Sequence, residues 1–300
     1  MILVTGSTGF IGRNLTPRLI ASGEEVRVLA HNPALAGKLF PGAAVAEGDL
    51  LDRGSIKAAM KGVSRVIHLA GLIDYKDRKR LFETNYQGTK NLLEFCGGVD
   101  KIVFSSSVAV FGKVEGKAGD RTVPHPDEPY GESKMMAEKL VTDSGIKSAV
   151  LRLAPIYGEG SPWFGHFLKM LSWGIPCPRT ESMVQLVHIS DAVRGIELAM
   201  KRGSGRFIIA DEKPVRLMHV TEKLVGFLGR RYWTVPKWMI ELPAGLLGMG
   251  SLVSLLMENR VYDISRSKKV LGFRPAADMD LELKRMVEWY LAHRGSEGEH

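Results

Sequence analysis

The chain has 300 residues, an apolar share of 45% and a formal charge of +8. Length allows one large or two smaller domains, and the apolar share excludes intrinsic disorder. Two cysteines, Cys96 and Cys177, without a C-x-x-C pair exclude a disulfide framework and a cysteine metal site; no metal is expected, and a reducing cytoplasmic compartment is. The amino terminus enters its first strand with no basic leader. Lys and Arg are scattered, with clusters at Lys76–Arg80 and Arg266–Lys269, so a solvated basic surface is expected rather than a nucleic-acid site.

Ile2, Leu3 and Val4 suit a buried parallel strand. Gly6, Gly9 and Gly12 follow at G-x-x-G-x-x-G spacing, where an apolar-periodic helix begins (Phe10, Ile11, Leu15, Leu19). Such a turn brings an anion onto free N–H groups at a helix start. Gly6 allows the turn, Gly9 the approach of a pyrophosphate, and Gly12 close helix packing against the sheet. This is the pattern of a dinucleotide site.

Val26–Leu29 is a second strand. An acid just past it would bond the ribose of NAD, but Ala30, His31 and Asn32 stand there, which favours NADP slightly over NAD. Val45 closes a third strand. Asp49 beyond it can reach an adenine amino group or cap the helix Ser55–Met60. Arg65–Leu69 is strand four and runs into Ala70-Gly71. Leu81–Phe95 reads as a long helix with Asn85 inside. Ile102–Phe104 ends in Ser105, Ser106 and Ser107. A loop spans Gly112–Pro129, a helix runs from Tyr130 to about Thr142, and Ala149–Leu153 is strand six.

This alternation specifies an α/β fold, a doubly wound parallel sheet with helices on both faces. Ligands bind at the carboxyl ends of its strands. Residues 1–155 form the dinucleotide domain on this reading. Residues 156–300 form a smaller, mainly helical substrate lobe, partly interleaved with the first. Its expected helices are Phe164–Trp173, Ile189–Met200, His219–Leu228, Lys237–Met257, Ser265–Leu271 and Leu281–His293, with strands near Val184–Val187 and Arg206–Ile209. Trp238–Met257 is apolar over about a bilayer span, but Glu241, Pro243 and four glycines weaken that reading. A buried or substrate-lining helix pair is expected ahead of a membrane-surface contact.

Tyr130 and Lys134 stand four apart on their helix, so ammonium and phenol share a face. A cation beside a phenol lowers its pKa and makes it a usable acid/base. Ser107, at the adjacent strand end, would orient the substrate oxygen, and hydride would pass between the substrate and the nicotinamide.

With these residues in view, the chain resembles the extended short-chain dehydrogenase/reductase family, including its epimerases and dehydratases. TGSTGFIG at Thr5–Gly12, VIHLAG at Val66–Gly71, ETNYQGTKNLLE at Glu83–Glu94, FSSSVAVFG at Phe104–Gly112, YGESK at Tyr130–Lys134 and DISRSKKVLGFRP at Asp263–Pro275 carry the likeness. It implies a Rossmann-type fold and Ser107, Tyr130 and Lys134 as the catalytic group. It places Gly6, Thr8, Gly9, Phe10, Ile11, Gly12, His31, Asn32, Asp49, Leu50, Leu69, Ala70, Gly71, Asn85, Ser105, Tyr130, Lys134 and Pro155 at the cofactor. It also implies a homodimer built on the Leu81–Phe95 and Tyr130–Thr142 helices.

Two reactions then compete. Sugar-nucleotide epimerases carry an Asn three residues after the strand-six Arg and an Arg four before the His of V-H-V-x-D. Here those places hold Pro155 and Val184. RLAPIYGEGSPW at Arg152–Trp163 is similar to 3β-hydroxysteroid dehydrogenases. Met170, Trp173, Met183, Trp233, Trp238, Met239, Leu246 and Leu247 suit either an apolar ligand or a core. The expectation is a net oxidoreductase of a hydrophobic, sterol- or terpenoid-like alcohol or ketone. The alternatives are an epimerase/dehydratase with tightly bound NAD and a non-catalytic dinucleotide-sensing scaffold; the scaffold would usually have lost Tyr130 or Lys134.

Overall fold

The computed structural model describes residues 1–74, 77–236, 238–239 and 258–294. Seven strands form its main sheet: β1 Ile2–Thr5, β2 Val26–Ala30, β3 Ala44–Glu47, β4 Arg65–His68, β5 Lys101–Ser107, β6 Ser148–Leu153 and β7 Gly205–Ile209. All pair in parallel, in the order β7-β6-β5-β4-β1-β2-β3. Its central strands read as continuous apolar runs because helices cover both faces. Ile2, Leu3, Val4, Val66, Ile67, Val103 and Phe104 are all fully buried.

Helices alternate with these strands: α1 Phe10–Ala21, α2 Pro33–Leu39, α3 Arg53–Ala59, α4 Arg78–Phe82, α5 Gly88–Leu93 and α6 Pro129–Asp143. Helix α2 is short and absent from the sequence pattern; Asn32 caps it, accepting from Leu35 N at 2.9 Å. Asp52 caps α3, accepting from Gly54 N at 2.9 Å, whereas the Asp49 carboxylate accepts from Leu51 N just before that helix. The helix expected over Leu81–Phe95 begins at Arg78 and is broken by a π-helical turn, Glu83–Gln87, centred on Asn85. Such turns concentrate at functional positions.

β7 comes from the later half of the chain and completes the sheet beside β6, in register from Gly205↔Ala149 to Ile209↔Leu153. Helices α7 Pro162–Ser172 and α8 Ile189–Lys201 precede β7, and α9 Leu217–Phe227 and α10 Met279–His293 come after it. Helix α8 packs on the sheet core through Ile189, Val193 and Ile196. α7, α9 and α10 build a separate core from Phe164, Leu168, Leu224, Leu283 and Val287. The expected strand over Val184–Val187 is two short pieces, Met183–Val184 and Val187–His188. The expected helix over Ser265–Leu271 is largely a π-helical turn, Ser267–Leu271.

Of the apolar stretch Trp238–Met257, all but Trp238 and Met239 lies outside the described residues, and so does Lys76 of the first basic cluster. Among the described residues, no helix is long and apolar enough to cross a membrane. Cys96 and Cys177 are both buried free thiols, pushed up by burial to about 12 and about 11.

Candidate active site

The carboxyl ends of β1 to β6 share one edge of the parallel sheet. Gly6–Gly12, His31, Asn32, Asp49, Leu50, Leu69–Gly71, Ser105–Ser107 and Pro155 follow or end those strands, so that edge gathers them.

The turn after β1 is built for close approach. Gly6 has φ +69, and a Cβ there would lie 2.5 Å from Ala70 N at the end of β4. A Cβ on Gly12 would meet Ser7 O at 2.3 Å and Gly6 O at 2.4 Å. Helix α1 therefore closes on the turn's own backbone, rather than on the sheet as its spacing suggested. Gly9 is different: among the described residues, the one atom near its Cβ position is Gly6 O at 3.4 Å. No side chain caps α1. Its first N–H groups face an open approach at Gly9, which fits a pyrophosphate.

Beyond β2 and β3, His31 Nδ1 lies 3.6 Å from Asp49 Oδ2. Asn32 is engaged by its helix cap. Leu50 is buried against Gly88, and Leu50 O accepts from Asn91 Nδ2 at 2.8 Å. Thr8 O holds Arg13 Nε at 2.7 Å, Pro155 O accepts from Val187 N at 3.0 Å, and Ser105 is buried in β5.

Tyr130, Lys134 and Glu138 repeat every fourth residue along α6. Tyr130 is hydrogen-bonded to the side chain of Ser107. Burial nonetheless pushes its phenol up to about 12; the Ser107 bond opposes this and the charge of Glu128 adds to it. The expected lowering by Lys134 is not what sets the phenol, because desolvation dominates here. Lys134 is itself buried and pushed down to about 8, with Glu138 pulling the other way. Its ammonium lies 4.7 Å over the Phe104 ring. A Cβ at Gly71 would sit 3.2 Å from that nitrogen and 3.3 Å from Asn85 Oδ1, so the glycine keeps room for both.

Asn85 does not present a free amide. Its Oδ1 accepts from Leu72 N at 2.7 Å, and its Nδ2 donates to Leu72 O and to Ser133 Oγ, both at 2.9 Å. Ser133 Oγ donates to Tyr130 O at 2.8 Å. The amide therefore ties the strand-four loop to the first turn of α6.

Two supports escaped the sequence reading. Glu138 is buried beneath Lys134 and takes Arg152 Nε at 3.0 Å, Arg152 Nη2 at 2.8 Å and Ser106 Oγ at 2.6 Å. The Y-x-x-x-K-x-x-x-E spacing was its signal. The second support is buried His68. Thr89 Oγ1 donates to Asn85 O at 2.6 Å, so it accepts from His68 Nε2 at 3.0 Å. Thr5 Oγ1 accepts from Ala70 N at 3.3 Å and bonds His68 Nδ1 at 2.6 Å. With Nε2 donating, Nδ1 can accept from Thr5 Oγ1 in a neutral imidazole, the form favoured by burial and then by the charge of Lys134, which push its pKa down to about 3. The chain of bonds joins the glycine turn to the Asn85 turn.

Comparison with known proteins is decisive at the family level. The family described as "NAD dependent epimerase/dehydratase family" matches residues 2–210. The chain belongs to that family. As a member of the epimerase/dehydratase family it is an enzyme, and its dinucleotide is an NAD(P). The UDP-glucose 4-epimerase of Vibrio cholerae is 30% identical over 97% of the chain and 95% of that enzyme. The 3 beta-hydroxysteroid dehydrogenase/Delta 5-->4-isomerase of Mycobacterium tuberculosis is 25% identical over 97% and 90%. The structure of MoeE5 in complex with UDP-glucuronic acid and NAD matches with a TM-score of 0.79 at 26% identity, covering 98% of this chain and 99% of that one.

Proposed function

We propose that the enzyme is a net NAD(P)-dependent oxidoreductase of a hydrophobic or amphiphilic alcohol/ketone pair, with Ser107, Tyr130 and Lys134 as its catalytic residues. One observation carries the choice of substrate class. The two positions where sugar-nucleotide epimerases hold polar donors carry Pro155 and Val184. Arg260 meets the second through its backbone, which bridges to Val184. Arg260 is buried, with Glu258 at 3.6 Å, and its charge acts on buried Glu128. That acidic setting is poor for a diphosphate. The likeness to a steroid dehydrogenase over most of both chains supports the same reading.

A bound nicotinamide supplies or accepts the hydride. At neutral pH the Tyr130 phenol is protonated, which suits carbonyl reduction: it donates its proton to the substrate oxygen as the carbon is reduced. Ser107 orients that oxygen, and Lys134 keeps a cation near the phenolate that forms. The Gly6–Gly12 turn holds the pyrophosphate. The absence of an acid at Ala30–Asn32 favours NADP. Asn85 and Leu50 act through the fold, and the division at residue 155 and a homodimer through α4–α5 and α6 belong to the same proposal.

A nucleotide-sugar epimerase is the second reading, favoured by the 30% identity to the Vibrio cholerae enzyme. Arg179, Arg216 or Arg260 would then meet the diphosphate. The test is a panel of apolar ketones and UDP-sugars with NADPH and NADH. Steady loss of reduced nicotinamide with an apolar ketone is the expected result. Conversion of a UDP-sugar without net nicotinamide change would overturn the proposal.

A further inference from the structure

The substrate lobe exposes an aromatic face that the sequence reading assigned to a ligand or a core. Trp173 is 70% exposed, and Trp233 and Trp238 are each 61% exposed. Ile175 and Met239 are exposed as well. These side chains belong to two segments that are zipped together. Cys177 N donates to Trp233 O at 3.0 Å, Arg179 N donates to Val235 O at 2.8 Å, and Thr234 and Val235 pair with Cys177 and Pro178. Tyr232 turns inward beside Cys177 and Phe167, lining a small apolar cavity. Trp233, the next residue along an extended segment, turns outward. None of the three tryptophans lines that cavity.

Cations frame the face. Arg179, Arg230 and Arg231 are exposed, and none has a carboxylate partner within ion-pair distance among the described residues. Lys169 lies with its ammonium 5.7 Å from the Trp173 ring centre. Of the nearby acids, Glu181 faces Arg216 at 3.7 Å, and Glu222 stands on α9. The whole chain carries +8. Tryptophans beside exposed arginines match the headgroup layer of an anionic bilayer, where indole rings settle at the polar–apolar boundary and cations meet lipid phosphates. A second copy of the chain fits worse, because a symmetric contact here would bring the two arginine sets together.

We propose that the face formed by Trp173, Trp233 and Trp238, with Arg179, Arg230 and Arg231, docks the enzyme peripherally on an anionic lipid surface. It does so whichever alcohol the active site takes.

The test is co-sedimentation of the full chain with vesicles of phosphatidylcholine alone and of phosphatidylcholine mixed with phosphatidylserine. The wild type is expected to partition onto the mixed vesicles, and to do so less as salt rises. A Trp173→Ser/Trp233→Ser variant and an Arg230→Glu/Arg231→Glu variant are each expected to lower that partition by about tenfold or more, with unchanged melting temperature. No partition by the wild type overturns the proposal. So does partition that both variants retain. Sedimentation that instead shows a concentration-dependent dimer, lost in the tryptophan variant, assigns the face to a second copy and overturns it as well.

Discussion

Lys134 carries its ammonium 4.7 Å over the ring of Phe104, in a position buried from solvent. Burial pushes this lysine down to about 8 from an ordinary 10.5. Between those two pH values the unfolded chain binds more protons than the folded one, so stability rises with pH across that window. Below about pH 8 the full penalty is present. Lys134→Met is therefore expected to be more stable than the wild type at pH 7, by up to about 3 kcal/mol, while losing turnover. Thermal melts at pH 7 and near pH 10.5 check this. The advantage shrinks at the higher pH, and a variant less stable at pH 7 would show that the ammonium is held by favourable bonds.

Tyr130 with its Ser107 bond is the acid/base of the proposed reaction. Tyr130→Phe removes the proton relay alone. It is expected to cut kcat by about 100- to 10,000-fold while dinucleotide affinity changes little. Turnover together with a dinucleotide titration separates the two effects. Normal turnover in this variant would remove the mechanism.

Much of this site was legible in the sequence because its chemistry lies in short local patterns. The glycine turn, the serine-ended strand and Tyr130–Lys134 each sit within one strand–loop–helix unit. What the spacing could not show is what a side chain does after long-range contact. Asn85 lies at the site but is held by Leu72 and Ser133, and Asn32 caps a helix too short to leave a periodic signal. Glu138 and His68 were missed because their partners, Arg152, Ser106, Thr5 and Thr89, come from separate elements. The tryptophans failed for the opposite reason: an aromatic residue at a plausible core spacing does not reveal that it stands exposed.

His68 is expected to govern acid stability. Its buried, doubly bonded ring is held down to about 3. The unfolded chain takes up a proton near pH 6.5, so the contribution is whole above that value and is lost as pH falls toward 3. The loss from this group is on the order of 1 kcal/mol per pH unit across the window. Denaturant midpoints from pH 7 to 4 check it, and His68→Gln should flatten the slope. An equal slope in that variant would assign the effect to carboxylates.

Gly9 and Gly12 separate ligand binding from folding. Gly9→Ala meets nothing closer than Gly6 O at 3.4 Å, whereas Gly12→Ala drives into backbone at 2.3 Å. Gly9→Ala is expected to keep the wild-type melting temperature and lose dinucleotide affinity by tenfold or more. Gly12→Ala is expected to lower stability by about 2 kcal/mol or more. Melting curves with and without NADP resolve the two. Full affinity in Gly9→Ala would move the pyrophosphate elsewhere.

The central claim, net redox turnover rather than internal redox, rests on whether the dinucleotide leaves between turnovers. The most direct measurement is to denature the freshly purified enzyme and quantify the nicotinamide released, after exhaustive dialysis of a parallel sample. Little or no retained nucleotide, with reversible NADP(H) binding tighter than that of NAD(H), is the predicted result. Stoichiometric NAD that survives dialysis would contradict the claim and assign the enzyme to the sugar-nucleotide epimerases.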